Sequence, residues 1–212
     1  KSAEEIEAME RAFHIGYAMH TTAMKMCREG VVEREIAGAI EGVALSYGGG
    51  ISFTSIVSQH GETLHNHNYN GVLESGKLLL VDAGGESVEN YCSDHTRTYP
   101  VSGKFTERQR DIYNIVLAAH QEAPKNMRAG AMYMEDVHRK ALITLAEGLK
   151  GVGLINGSAE DAVAAGAMYL FMPHGLSHGM GIDVHDCEAI GERSYDFSAI
   201  AERAAQEATC VH

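Results

Sequence analysis

"IGYAMHTTAMKMCREGVVEREIAGAIEGVALSYG" (residues 15–48) is repeated one hundred positions later as "IVLAAHQEAPKNMRAGAMYMEDVHRKALITLAEG" (115–148). This internal repeat indicates the fold. Ten of the 34 aligned positions are identical without a gap, where about two are expected for unrelated sequences of average composition. Each copy is too long to be one unit of a solenoid. The repeat therefore predicts a duplicated half-domain, with halves at about residues 3–103 and 104–190 of a single domain covering residues 1–212.

Both copies have the same order of predicted elements, two helices followed by β-like sequence. The helices follow from apolar periodicity ended by glycine, and they are predicted over residues 3–28, 33–47, 106–126 and 134–147. The strands follow from apolar and β-branched runs between turn residues, and they are predicted over residues 51–58, 77–83, 91–103, 167–173 and 181–185. We expect an α/β sheet covered on one side by four helices, with pseudo-twofold symmetry.

Composition narrows the class of protein. The chain has 212 residues, 45% of them hydrophobic, and a net charge of −12 with no run of Lys or Arg longer than two. Nucleic acid and anionic membrane surfaces are therefore poor partners, because binding to phosphates depends on clustered cations. No apolar segment reaches the length of a membrane helix. The four cysteines form no C-x-x-C pair, which favours a reducing, cytoplasmic location.

The segment "HGLSHGMGIDVHD" (residues 174–186) concentrates side chains that bind metals or substrates. His174 and His178 are four residues apart, as on one face of a helix. The glycines oppose a helix, since each costs about 1 kcal/mol in a helix interior. We predict a loop that enters a strand, in which Asp183 and His185 share one face. The alternative is a turn with ordinary surface histidines.

Two aspartates are the acidic partners of this segment. Asp82 ends an apolar strand, where an unpaired buried carboxylate is costly, and Asp94 lies twelve residues on in the partner strand. A hairpin of that length brings both carboxylates toward one point. Together with His178 they form a donor set suited to Mn²⁺, Co²⁺ or Zn²⁺. Alternatively, Asp82 forms a turn before two glycines and Asp94 is a surface residue.

Three motifs carry a resemblance to a known family: "LLLVDAGGE", "YCSDHTRTYPVSGKFTERQRDIY" and "MPHGLSHGMGIDVHD". Together they resemble the metallopeptidases of the pita-bread fold, and within these the Xaa-Pro aminopeptidases and prolidases most closely. The resemblance covers nearly the whole chain. It implies an α/β (α+β) fold of two pseudo-twofold related αα-β halves, which agrees with the repeat.

The resemblance also implies a set of metal ligands. Asp82, Asp94 and His178 would bind two divalent ions, with Mn²⁺ preferred and Co²⁺ or Zn²⁺ as alternatives. Thr96 and Arg97 would support these ligands, because outer hydrogen bonds fix the orientation of a carboxylate.

Substrate contacts are implied for other histidines. His185 would contact the scissile carbonyl and support the tetrahedral intermediate, so that it has a catalytic role. His65 would help to hold the substrate and assist catalysis, with His67 as a close competitor for that position. His174 would line the rim of the substrate pocket.

The sequence departs from the family pattern in two respects. The family has two further glutamate ligands, one in a V-x-E-P-G strand, but no E-P-G follows His185 here. The candidates beyond it are expected to be solvated surface charges rather than ligands: Glu188, Glu192, Glu202 and Glu207. The two aspartates are also twelve residues apart instead of the common eleven, which predicts a one-residue bulge or a longer hairpin.

These departures shape the functional hypotheses. The first is a homo-oligomeric metallopeptidase in which a metal-activated hydroxide releases the N-terminal residue from Xaa-Pro peptides or cleaves Xaa-Pro dipeptides. This chain would be an inactive part of that enzyme, incomplete at its C-terminus and with little or no bound metal. The alternative is a catalytically dead pita-bread module that binds peptides or protein partners. A metal-free hydrolase of this fold has little use for the two aspartates.

Overall fold

The computed structural model describes residues 1–128 and 131–186, which divide into two compact units. The first unit contains residues 1–101 and 178–186, and the second contains residues 102–177. The predicted single domain that joins both halves stays a prediction.

Two helices begin the first unit, and both start at residues suited to a helix N-terminus. The helix α1 (Ala3–Met26) is capped by Ser2, whose hydroxyl accepts from the backbone N–H of Glu5 at 3.3 Å. The Glu5 carboxylate returns the bond to the Ser2 N–H at 2.7 Å, so that two free helix-end donors are satisfied. The helix α2 (Glu33–Ser46) follows. The predictions for both helices are confirmed to within two residues at each end.

Five short strands make up the β-structure of the first unit: β1 (Gly50–Ile51), β2 (Ile56–Ser58), β3 (Leu78–Ala83), β4 (Gly85–Glu86) and β5 (His95–Pro100). They form an antiparallel sheet in the order β2-β3-β5 and a separate β1-β4 pair. The prediction for β3 is confirmed. The strand predicted over residues 51–58 is divided in two, and the one predicted over 91–103 is shortened to β5.

The register of the β3–β5 hairpin explains the spacing of the two aspartates. Asp82 pairs with Thr96, Ala83 pairs with His95, and an isolated bridge between Glu86 and Cys92 keeps the same register. No residue is inserted between these pairs, so the structure contains the longer hairpin and not the bulge.

The core of the first unit lies between the helices and one face of the sheet. Alternate residues of β3 face this core, as expected for a strand with a single buried face. The largest fully buried side chains come from both helices, the sheet and the segment before it: Met19, Ile36, Ile40, Val57, Leu73, Leu79 and Val81.

The second unit is helical in its described residues. Its elements are α3 (Glu107–Asn126), a π-helical segment Tyr133–His138, α4 (Arg139–Gly151), α5 (Ala159–Ala164) and a 3₁₀ helix Ala167–Leu170. Thr106 caps α3 with the predicted start, accepting from Gln109 N–H at 3.2 Å. The helix predicted over residues 134–147 is present, but its first turns are π-helical. The core of the second unit contains residues from four of these elements and from the loop before α5: Ala119, Leu145, Ala146, Leu149, Ile155, Ala159, Ala162 and Met168.

The strand predicted over residues 167–173 is wrong. The chain forms a 3₁₀ helix there, with backbone bonds from Tyr169 N–H to Gly166 and from Phe171 N–H to Met168. Met168 is 1% exposed in the helical core, whereas Leu170 is 83% exposed. The apolar run therefore buries a side chain through a local turn, and the described part of this unit offers no strand for pairing.

The strand predicted over residues 181–185 is also wrong. Gly181 N–H donates to the carbonyl of Asp183, and Asp186 N–H donates to the carbonyl of Gly179. These local bonds close a loop, and the glycines supply the backbone freedom that such a loop requires. Asp183 and His185 therefore do not share a strand face. Among the described residues, no helix combines the length and apolar character needed to cross a bilayer.

Candidate active site

The hairpin of β3 and β5 presents polar side chains on the face of the sheet opposite the core. Asp82 and Thr96 are paired neighbours on that face, and the Thr96 hydroxyl donates to Asp82 Oδ1 at 2.7 Å. The same register places Asp94 opposite Gly84, so that Asp94 belongs to the same face. A Cβ at Gly84 would overlap the carbonyl of Ser93, so glycine is needed for the chain to close here.

The surroundings of Asp82 raise the pKa of its carboxyl group. Burial is the main cause that raises the pKa of Asp82 to about 6, and the hydrogen bond from Thr96 opposes it. The charge of Asp94 and a hydrogen bond with it raise the pKa further. The neighbouring negative charge favours the protonated form of Asp82, and a bound cation would oppose this effect.

His178 completes a chain of polar contacts with these acids. Its Nδ1 lies 2.9 Å from the carbonyl oxygen of Gly179, and its Nε2 lies 2.9 Å from Asp94 Oδ2. Because a carbonyl oxygen only accepts, Nδ1 carries a proton. Nε2 is thereby directed at the Asp94 carboxylate.

His185 lies directly against His178. The two imidazole rings are stacked, with centroids 3.9 Å apart and planes inclined by 8°. The closed loop from Gly179 to Asp186 produces this arrangement, because it returns the chain onto itself after His178. The structure thus brings His185 beside His178 through a turn and not through strand alternation.

His65 lies on the loop before β3 and close to Asp82. A charge on His65 lowers the pKa of Asp82, whereas the neighbouring His67 has no such influence among the causes of that shift. His65 also has a φ of 50°, a left-handed backbone conformation that is uncommon for residues other than glycine. The choice between His65 and His67 stays a prediction.

The remaining predicted residues have less direct positions. Arg97 donates to the carbonyl of Thr96 at 2.8 Å, so it supports the backbone of the residue that holds Asp82. His174 lies in the second unit, where its Nδ1 is 2.8 Å from the carbonyl oxygen of Gly175. Its predicted place at the rim of a pocket stays a prediction. The four glutamates beyond His185 lie outside the described residues.

The donor set suits a divalent cation in its chemistry. It combines two carboxylates with an imidazole whose Nδ1–H is anchored on a carbonyl, the usual arrangement for a histidine that binds a metal. Within residues 1–128 and 131–186, however, no three His, Cys, Asp or Glu side chains form a group that would hold a metal ion. The contacts run pairwise from Asp82 to Asp94 and from Asp94 to His178, and the convergence of all three on one metal stays a prediction.

Sequence reasoning missed two buried polar residues of the first unit. His20 of α1 is 6% exposed; its Nδ1 lies 2.5 Å from the Tyr99 hydroxyl, and its Nε2 lies 2.7 Å from the His95 carbonyl oxygen. Glu33 at the start of α2 is 2% exposed. The repeat pairs His20 with His120, but a repeat does not indicate burial. An acid in the first turn of a helix is ordinarily explained by the helix dipole.

Comparison with known proteins finds similar sequences over most of the chain. The model of metallopeptidase family M24 matches residues 7–210. Xaa-Pro aminopeptidase of Escherichia coli is 37% identical over 195 residues, which cover 91% of this chain and 44% of the relative. A probable Xaa-Pro aminopeptidase of Coccidioides posadasii is 37% identical over 194 residues, covering 88% and 41%. The chain thus spans less than half the length of the curated relatives it matches.

Solved structures give the same result. Escherichia coli aminopeptidase P in complex with substrate matches with a TM-score of 0.83 and 37% identity, over 88% of this chain and 42% of that one. Proline aminopeptidase P II from Yersinia pestis matches with a TM-score of 0.83 and 39% identity, over 88% and 43%. A zinc-substituted Escherichia coli aminopeptidase P in complex with product is also similar, with a TM-score of 0.83, 37% identity and coverage of 88% and 42%. The mixed helix and sheet structure is that of these pita-bread proteins.

Proposed function

This chain belongs to metallopeptidase family M24, and from that premise we propose that its parent protein is an Xaa-Pro aminopeptidase. The substrate would be a peptide with proline at its second position, or an Xaa-Pro dipeptide. The observation that carries the proposal is the pair of contacts that link Asp82 to Asp94 and Asp94 to His178. The named relatives support the choice of substrate class.

We propose that Asp82, Asp94 and His178 hold divalent metal, with Mn²⁺ preferred over Co²⁺ and Zn²⁺. When bound, the metal would activate water and stabilise negative charge that develops on the scissile carbonyl. The raised pKa of Asp82 supports this assignment, because a bound cation would offset the repulsion between the two carboxylates.

The side chains around the acids would orient and hold the substrate. The Thr96 hydroxyl holds one oxygen of Asp82 through a hydrogen bond, which orients the carboxylate. His185 lies against His178 and would donate a hydrogen bond to the substrate carbonyl as charge develops there. His65 would hold the substrate from the loop between β2 and β3. His174 would line the pocket.

Three finer proposals accompany this function. The parent protein is cytoplasmic, which the scattered thiols support; Cys27 and Cys92 are free. It is a homo-oligomer. Residues 1–212 alone are inactive, since the sequence contains no E-P-G glutamate to complete the ligand set.

The test uses the full-length parent protein loaded with Mn²⁺ and an Xaa-Pro-containing tripeptide. Asp94→Asn should lower metal affinity by about 10- to 100-fold or more and abolish hydrolysis, because a ligand carboxylate is lost. Asp111→Asn, at an exposed residue of α3, is the matched control and should retain both properties. Calorimetry with Mn²⁺ and release of the N-terminal residue are the measurements.

Binding of the peptide with equal affinity by Asp94→Asn and by metal-depleted protein, without hydrolysis, would instead identify a binding module. Full activity of residues 1–212 alone would contradict the proposal that the isolated chain is inactive.

A further inference from the structure

A buried carboxylate lies at the start of α2, on a residue that plays no part in the proposed chemistry. Glu33 is 2% exposed, although an acid in the first turn of a helix usually points into solvent. Its partners are backbone amides: Oε1 accepts from the Gln59 N–H at 2.8 Å, and Oε2 accepts from the Gly71 N–H at 3.0 Å. These two hydrogen bonds compensate the burial of a polar side chain.

The two amides bound by Glu33 are the two ends of one loop. Residues 59–71 leave the sheet after β2 and return toward β3, and His65 lies midway between the ends. The Glu33 N–H also donates to the Gly71 carbonyl at 2.9 Å, so that Glu33 and Gly71 bond in both directions. A Cβ at position 71 would lie 2.6 Å from the Glu33 carboxylate carbon. The close approach therefore requires glycine.

The loop between these ends has further anchors on the residues that follow His65. Asn66 donates to the Ser58 hydroxyl at 3.2 Å, the Tyr69 hydroxyl donates to the Ser55 carbonyl, and the Arg34 N–H donates to the Tyr69 carbonyl at 3.0 Å. His65 itself is exposed and has a φ of 50°, a conformation that persists only where the surrounding chain imposes it. The bonds that fix the two ends of the loop are therefore among the contacts that set the position of His65.

We propose that Glu33 is a positioning residue: it clamps both ends of the 59–71 loop and thereby places His65 for substrate. This inference rests on the substrate-holding role that the proposed function gives to His65. Glu33 itself touches neither the acids nor the substrate. It acts through two backbone amides, and its effect reaches the site only through the loop.

The experiment compares Glu33→Gln with Glu35→Gln. The first substitution keeps the shape of the side chain but replaces one acceptor oxygen by an NH₂ group, which faces a backbone donor. Glu35 is the matched control, because it is exposed, lies in the same turn and also accepts from a backbone N–H, that of Val32 at 3.0 Å. Amide hydrogen exchange and peptide kinetics are measured on the full-length protein with Mn²⁺.

Glu33→Gln should accelerate exchange of the Gln59 and Gly71 amides about tenfold or more, since local opening becomes easier. Glu35→Gln should leave both amides as in the unsubstituted protein. For the peptide, Glu33→Gln should raise KM about tenfold with kcat changed less than about twofold, as for lost substrate binding. In a His65→Ala background the same substitution should have no further effect on KM.

Two results would overturn the inference: unchanged exchange at Gln59 and Gly71, or a KM effect of equal size with and without His65. If Glu33→Gln does not fold, Glu33→Asp replaces it, because the shorter carboxylate reaches only one amide and should release the other. If the unsubstituted protein hydrolyses no Xaa-Pro peptide, the proposed function fails. The exchange comparison still decides whether Glu33 clamps the loop.

Discussion

Histidines at the same position of the internal repeat have opposite surroundings. His20 of α1 is buried and bonded through both ring nitrogens to residues of β5, whereas His120 of α3 is exposed. The two helices contact different partners, since α1 packs on α2 and on the strands, and α3 packs on α4. Both copies of the repeat form helices, but different elements pack against α1 and α3. The shared histidine therefore has different surroundings in the two copies.

In the first copy this position ties a helix to the site. Because the His95 carbonyl only accepts, His20 Nε2 carries the proton and Nδ1 accepts from the Tyr99 hydroxyl. His95 lies between Asp94 and Thr96 in the chain, so the bond from His20 fixes the strand at the point where the site begins. The exposed His120 has no equivalent role toward a strand in the described residues of its unit.

The largest expected difference between the copies lies at the isoleucines one turn earlier. Ile15 is 3% exposed and packs so closely on Gly85 that a Cβ there would overlap it, whereas Ile115 is only partly buried. Ile15→Ala should lower the free energy of unfolding by about 3 kcal/mol and Ile115→Ala by about 1 kcal/mol, because the cost follows the cavity that remains. Urea unfolding measures both. Equal losses would show that the two copies bury this position alike.

A smaller difference is expected for the histidines, and it depends on pH. Burial is the main cause that lowers the pKa of His20, so the folded state holds the ring neutral. The unfolded chain takes up the proton below about pH 6.5. The contribution of His20 is therefore present above that pH and is lost as the pH falls, by at most about 1.4 kcal/mol per pH unit.

His20→Gln should accordingly flatten the decrease in unfolding free energy between pH 7 and pH 5.5, measured in urea at each pH. Some decrease remains, because burial also lowers the pKa of His95 and His138. His120→Gln is the control and should retain the profile of the unsubstituted protein. A profile unaffected by His20→Gln would mean that the buried ring does not resist protonation.

The smallest expected difference concerns the acids at the start of the second helix of each copy. Glu35 accepts from the Val32 N–H, but in the second copy Asp136, one residue beyond the equivalent Glu135, accepts from the Met132 N–H at 2.9 Å. Glu35→Ala and Asp136→Ala should each cost about 0.5–1 kcal/mol of stability, because each removes a helix-end acceptor. Glu135→Ala should cost less than either. Thermal unfolding of the three variants tests this shift of one residue.

The helices could be predicted well from the sequence, whereas among the predicted strands only β3 was found with nearly its predicted bounds. The periodicity of residues 3–28 and the capping box at Thr106 are local signals, so the observed helices follow them. The run at 167–173 is apolar without alternation, and its Met168 is buried in a helical core and not in a sheet. The glycines of 179–181 closed a local loop, where alternation alone had predicted a strand over 181–185.

Much of the candidate site also follows from sequence spacing. Asp82, Asp94 and Thr96 share one sheet face because residues two apart in a strand point to the same side, and this is visible in the sequence once the hairpin is accepted. His178 and His185 were singled out by their density in a glycine-rich segment. Their stacking was not predictable, since it depends on a loop that closes through backbone bonds.

The sequence alone is enough to predict the repeated helix pairs, the β3–β5 hairpin with its acids, and the family. These features depend on periodicity and on motifs within a few tens of residues, which short-range sterics and hydrogen bonding control. Only the tertiary structure decided that His20 is buried while His120 is exposed, and that Glu33 turns inward to two backbone amides. Burial is a property of what packs against a residue, and for these side chains the partners lie between 26 and 79 positions away along the chain.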